Sequence, residues 1–141
     1  MVLNAPDLWE QAYGNTYNNK GGMTPGVDGL TLDGYSDERA GNLRELLREN
    51  RYMPTPVQRV YIPKANGKQR PLGMPTANDK LVQEVWHMVL DSIYEPVFKD
   101  SSHGFRPKRS CHTALKNIAR TWTGTKWFIE FDIQGFFDPA C

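Results

Sequence analysis

The chain has 141 residues, of which 39% are hydrophobic and 23% charged, and its 17 basic and 16 acidic side chains leave a formal net charge of +1. That length suits one domain with a real core, and the modest charge excludes wholesale disorder. No apolar run reaches the ~18 residues of a membrane span, the first residues lack the pattern of a secretory signal, and Cys111 and Cys141 are too few for a disulfide framework, so a reducing, intracellular home is expected.

Residues 6–19 predict a helix, with Pro6 near its first turn and Leu8, Trp9, Ala12 and Tyr13 on one side. The glycine-rich stretch 20–34 reads as turns. A second helix starts at Ser36, with Asp37 and Glu38 in its first turn and Leu43, Leu46 and Leu47 on its apolar face. Pro54 and Pro56 exclude helix after it. Val57 to Pro63 predicts a strand with Val57, Arg59 and Tyr61 on one face and Val60 and Ile62 nearer the other. Asn66-Gly67 signals a tight turn, and Arg70 to Met74 the returning strand, joined by a longer or bulged loop. The longest helix runs from about Asn78 to Tyr94 through Leu81, Val82, Val85, Val89 and Ile93, and Pro96 ends it. Residues 99–108 form a polar loop. Ser110 caps a further helix bearing Ala114, Leu115, Ile118 and Trp122. Finally, Lys126 to Ile133 alternates as a strand, with Asp132 near its end.

The small net charge hides an asymmetry. Residues 1–50 carry 4 bases and 8 acids, residues 51–126 carry 13 bases and 5 acids, and residues 127–141 carry three acids and no base. A basic middle followed by an acidic end suggests a polyanion track leading to a carboxylate, or else an ordinary solvated surface.

Three constellations stand out. Lys64, Lys68 and Arg70 lie near one hairpin turn and could grip a phosphate chain, Arg as a fork and Lys as a mobile point charge. The same charges would serve an exposed hairpin for solubility. The segment Ser101-Ser-His-Gly-Phe-Arg106-Pro-Lys108-Arg109-Ser110 puts three bases before a helix start, where phosphate is held well, or forms a capped loop with solvated bases. In Phe131-Asp132-Ile-Gln-Gly-Phe136-Phe137-Asp138, a carboxylate leaves an apolar strand, where a metal or an N-cap role would satisfy it. A Walker loop is absent, and the His and Cys spacings fit neither a zinc site nor a Cys-His nucleophile pair. Cys111 is expected on or near the buried face of its helix.

In this order, the segments resemble the reverse transcriptases encoded by group II introns, the maturase family. Pro25-Gly-Val-Asp28-Gly-Leu-Thr31 is similar to the family's amino-terminal extension. Arg59 to Gly73, with Pro75-Thr76 and Asp79, is similar to its first fingers motif. Ile93-Tyr-Glu-Pro96 and Ser102 to His112, with Ala114-Leu115, resemble its second. Phe131 to Asp138 resembles the first palm motif. The resemblance covers residues 14–138 and implies an α+β fold: reverse-transcriptase fingers with the first palm strand of a right-hand polymerase. It divides the chain into an extension (1–50), fingers (51–125) and an incomplete start of the palm (126–141).

The resemblance also implies roles. Lys64 and Arg70 would grip the triphosphate of an incoming deoxynucleotide, Leu72 would pack near the templating base, and Phe137 would lie under the sugar and exclude a 2'-hydroxyl. Asp132 would be the first catalytic aspartate and, with the carbonyl of Ile133, a magnesium ligand. Arg59, His103, Arg106, Lys108 and Arg109 would contact nucleic acid. The partners implied are an RNA template, a DNA primer and deoxynucleotides, with magnesium as cofactor and no membrane. A bacterial cytoplasm is expected ahead of an organelle matrix.

The chain departs from the family in one chemical respect. Nucleotidyl transfer uses two divalent ions ~3.5–4 Å apart, and several carboxylates must offset their repulsion. The family's Tyr/Phe-x-Asp-Asp hairpin supplies a pair of them, and no Asp-Asp dipeptide occurs here. The sequence ends Pro139-Ala140-Cys141, which reads as a truncation. This polypeptide alone is therefore expected not to polymerise, and its uncovered palm edge is expected to bring self-association or marginal stability; the alternative reading is a non-catalytic, maturase-like RNA-binding module.

Overall fold

The computed structural model describes residues 2–65 and 67–133. Pro6 and Asp7 open helix α1 (Pro6–Tyr17), where a missing N–H and a negative charge suit the first turn. Helix α2 (Asp37–Arg48) starts at Ser36, whose hydroxyl accepts from the Arg39 N–H at 3.2 Å. Strands β1 (Gln58–Pro63) and β2 (Gln69–Met74) form one antiparallel hairpin. Helix α3 (Ala77–Tyr94) follows after two residues, and α4 (Cys111–Thr121) is the last regular element among the described residues.

The chain divides after Pro96 into two compact units, a boundary that falls inside the 51–125 segment. The core of the first unit is the apolar stripe of three helices: Trp9 and Ala12 from α1, Ala40 and Leu43 from α2, and Leu81, Val82 and Val85 from α3, with Leu3 beneath them. The Trp9 indole N–H donates to the Leu3 carbonyl at 2.8 Å, so the buried ring leaves no unpaired donor. Further along α3, Met88 and Val89 are partly buried against this core. Ile93, the last of the spaced apolar positions, is exposed, as is its neighbour on the helix, Leu90.

The glycine-rich stretch is anchored to this core. The Lys80 ammonium, on α3, donates to the carbonyls of Gly21 (2.9 Å), Gly22 (3.2 Å) and Thr24 (2.6 Å). Burial pulls its pKa below the usual lysine value, while the three carbonyl dipoles favour the charged form. Gly26 passes so close to Thr76 that a Cβ there would lie 2.7 Å from the Thr76 Cα.

In the second unit, Ser110 caps α4 as expected, within a full capping box. Its hydroxyl accepts from the Thr113 N–H and its own N–H donates to the Thr113 hydroxyl. The helix buries none of its residues, and Cys111 is exposed, contrary to the expectation from helical spacing. The expected first palm strand is also absent: residues 126–133 carry no regular secondary structure. A strand is stabilised by a neighbour's hydrogen-bond ladder, and none pairs with this segment among the described residues. Its alternating side chains all face water, with Trp127 and Ile129 both 89% exposed.

Candidate functional site

The hairpin is the first candidate. Lys64 and Lys68 close its loop: the Lys64 N–H donates to the Lys68 carbonyl at 2.7 Å, and the Gly67 N–H to the Lys64 carbonyl at 3.0 Å. Gly67 adopts φ 77°, a conformation glycine takes without strain. Asn66, part of the turn signal, lies outside the described residues. A longer, unbulged loop results, because residues 64–68 separate strands paired without interruption.

Register assigns the faces, since residues opposite one another in an antiparallel pair share a face. Ile62 opposes Arg70 and Val60 opposes Leu72, so Arg70 and Leu72 lie together over an apolar pair. Arg59 opposes Gly73 and Tyr61 opposes Pro71, on the other face. The structure thus brings Arg70 and Leu72 together, with Lys64 at the adjoining turn, and separates Arg59 from them.

Among the described residues, no hydrogen bond or ion pair engages the side chains of Arg59, Lys64 or Arg70. Nor does the surrounding sequence neutralise them. Between Glu49 and Asp79 there is no acidic residue and there are five bases. Unengaged cations on an acid-free ribbon are suited to an external anion.

What holds this ribbon is a side chain to which the sequence alone assigned no role. Asp79, 4% exposed, is the third residue of α3. Its carboxylate accepts from the Thr76 hydroxyl (2.6 Å), the Thr55 N–H (3.2 Å) and the Tyr52 hydroxyl. Tyr52 and Thr55 precede β1, and Thr76 follows β2. One buried carboxylate therefore ties both legs of the hairpin to the start of α3. The Thr76-x-x-Asp79 spacing of a capping box was the available signal; the reach to residues 52 and 55 had none.

The basic loop before α4 is organised differently. Arg106 donates to the carbonyls of Lys99 (2.9 Å) and Ser102 (3.0 Å) and lies 5.2 Å from the Phe98 ring centroid. Arg109 donates to the Asp100 carbonyl at 3.1 Å and pairs with its carboxylate at 3.0 Å. Both arginines thus brace their own loop, while Lys108 remains exposed. His103 places Nδ1 2.9 Å from the Thr113 hydroxyl, and that hydroxyl donates to the Ser110 carbonyl at 2.8 Å. The His103 Nε2 is buried and has no hydrogen-bond partner among the described residues. Phe105 and Lys108 both take positive φ, 55° and 59°, in this loop. Phe105 is fully exposed, which the sequence did not signal.

Asp132 lies on exposed chain and accepts the N–H of its neighbour Ile133 at 2.9 Å. Among the described residues, no three His, Cys, Asp or Glu side chains are grouped to hold a metal ion. One carboxylate with an oxygen already engaged does not make a magnesium site, so the described residues alone do not fit that cofactor. Phe137 and Asp138 lie outside the described residues. A cavity of about 310 Å³ is lined by Thr16, Asn19, Lys80, Glu84 and His87 among others, and by none of the residues singled out from the sequence. No helix among the described residues is long and apolar enough to cross a membrane.

Comparison with known proteins gives a consistent result. The family described as "Reverse transcriptase (RNA-dependent DNA polymerase)" matches residues 62–139. The chain is 54% identical to the group II intron-encoded protein LtrA of Lactococcus lactis subsp. cremoris, over 94% of this chain and 22% of that protein. It is 38% identical to protein YkfC of Escherichia coli, over 99% of this chain and 39% of that protein. It is 28% identical to nuclear intron maturase 1, mitochondrial, of Arabidopsis thaliana, over 94% of this chain and 21% of that protein. The chain therefore spans well under half the length of these relatives.

Proposed function

Because this chain belongs to the group II intron-encoded reverse transcriptase and maturase family, we propose that its hairpin is the nucleotide-gripping part of an RNA-directed DNA polymerase. Lys64 and Arg70 bind the triphosphate, and Leu72, beside Val60, packs near the templating base. Neutralising and orienting a triphosphate is what a polymerase needs from these groups, because in-line transfer depends on position and charge. Arg59 in the first unit contacts nucleic acid, and so, within the second unit, do His103, Arg106, Lys108 and Arg109. The Asp132 carboxylate and, beside it, the Ile133 backbone carbonyl belong to the catalytic centre of the complete polymerase, and Phe137 to its sugar pocket. Reverse transcriptases generally use divalent metal ions. An RNA template, a DNA primer and deoxynucleotides are the partners, and the bacterial relative LtrA favours a bacterial cytoplasm.

The observation that carries this reading is the set of unengaged side chains of Lys64 and Arg70 on a ribbon without acids. Titration of the purified chain with a deoxynucleoside triphosphate tests it. Lys64→Ala and Arg70→Ala should each weaken binding about tenfold, as expected for a lost charge-assisted contact of ~1.5 kcal/mol. Equal binding by both variants and the parent chain sinks the assignment.

A second reading, a maturase-like RNA-binding module without catalysis, is favoured for the polypeptide by itself by the missing carboxylate cluster among the described residues. It predicts RNA binding and no primer extension by the 141-residue chain.

A further inference from the structure

The hairpin has a second face that the triphosphate does not need. We propose that this face is a stacking subsite for unpaired RNA, with Tyr61 as the platform and Arg59 as its phosphate contact. The inference rests on the proposed function, in which this chain handles RNA, and it adds Tyr61 and a division of labour between the two faces.

The register defines the surface. Arg59, Tyr61 and Pro63 of β1 oppose Gly73, Pro71 and Gln69 of β2 and share one face. Tyr61 is 55% exposed, and its hydroxyl has no partner among the described residues. Opposite it, Pro71 adds an apolar ring on the same face and offers no N–H. Gly73 adds no side chain opposite Arg59, and Val57 packs over it, because a Cβ at Gly73 would lie 3.0 Å from a Val57 methyl. The face is therefore an aromatic ring flanked by proline on one side and an unengaged guanidinium two residues away.

Charge selects the occupant. On the hairpin, Arg59, Lys64 and Arg70 have no side-chain partner among the described residues, and the sequence holds no acid between Glu49 and Asp79, so the partner is a polyanion. Shape selects its form. An exposed aromatic ring on a two-stranded ribbon can take the π-face of a splayed base, which a duplex keeps stacked inside. An arginine beside it takes the adjoining phosphate as a fork. The opposite face carries Arg70 and Leu72, so an unpaired base on the Tyr61 face does not compete with the nucleotide and templating base on that one.

Fluorescence anisotropy of a labelled oligouridylate with the full 141-residue chain tests this, with a blunt RNA duplex as comparison. Tyr61→Leu should weaken oligouridylate binding about five- to hundredfold, the range of one base–aromatic stack, and leave the salt dependence unchanged. Tyr61→Phe should bind like the parent. Arg59→Gln should reduce the log–log salt slope by about 0.7, one phosphate contact on a single strand. Duplex binding should respond to Arg59→Gln but not to Tyr61→Leu. Tyr61 is on the surface, so far-UV circular dichroism of the variant should match the parent. Tyr61→Leu within twofold of the parent overturns the proposal, as does an equal loss for Tyr61→Phe. Loss of self-association rather than of RNA binding in Tyr61→Leu overturns it in favour of a protein contact. Triphosphate binding by Lys64→Ala and Arg70→Ala is read separately, so failure of the nucleotide grip and failure of the stacking face are distinguished.

Discussion

The Tyr52 hydroxyl donates a hydrogen bond to the Asp79 carboxylate, joining the segment before the hairpin to the helix after it. Asp79 is buried and also receives Thr76 and Thr55, so its charge is compensated by three donors rather than by a cation. A buried carboxylate is tolerated when such donors surround it. Here the compensation also fixes where the hairpin leaves the core.

Asp79→Ala removes the acceptor and strands its donors. The expected loss is about 3 kcal/mol in urea unfolding, at the upper end for a buried donor left unpaired. Hydrogen exchange should quicken across β1 and β2 before the core of α1 and α3 responds. Unchanged exchange in the hairpin would show that the clamp does not hold it.

Alkaline pH gives a second test. Burial first, and then the bond to Asp79 and its charge, hold the Tyr52 phenol well above its ordinary value of 10.0. The folded state then keeps a proton that the unfolded state loses. Stability from this group is full below pH 10 and declines as pH rises beyond it. The Lys80 ammonium works in the opposite sense, because its lowered pKa makes stability rise towards its unfolded value of 10.5. Tyr52→Phe should therefore flatten the fall in stability above pH 10, measured by urea unfolding against pH. An unaltered slope would contradict the shift.

Two glycines should respond oppositely to alanine. At Gly26 a Cβ would meet the Thr76 Cα at 2.7 Å and the Thr76 N at 2.8 Å, both backbone atoms that cannot turn aside. Gly26→Ala should cost about 1–3 kcal/mol, the range for forced overpacking. Gly14, inside α1, has open space where a Cβ would stand, with nothing within 4 Å, so Gly14→Ala should add about 0.5–1 kcal/mol through helix propensity. Thermal melts of the two variants should move in opposite directions.

The exposed apolar residues of 126–133 favour association. Trp127, Ile129 and Phe131 are each at least 88% exposed on chain with no ladder partner among the described residues. Such segments pair with other chains. Light scattering should show mass rising with concentration, and Trp127→Ser with Phe131→Ser should suppress the rise. A concentration-independent monomer would remove this expectation.

The sequence by itself determined the elements whose signals are local. A helix closes its bonds within four residues, so Ser36, Ser110 and the spacing of Trp9, Ala12, Leu81 and Val85 were enough to place α1 to α4 and much of the core. The hairpin was equally legible from alternation and the turn, and the ordered motifs pointed to the family. Tertiary structure decided what depends on partners far along the chain. The alternation of Lys126 to Ile133 could not make a strand without a neighbour to pair it. Charge counting could not tell that Arg106 and Arg109 spend their donors on their own loop while Arg59, Lys64 and Arg70 keep theirs unengaged. Nor could spacing reveal that Asp79 reaches back to Tyr52, because a carboxylate's partners are set by where the folded backbone brings donors, not by their distance in sequence.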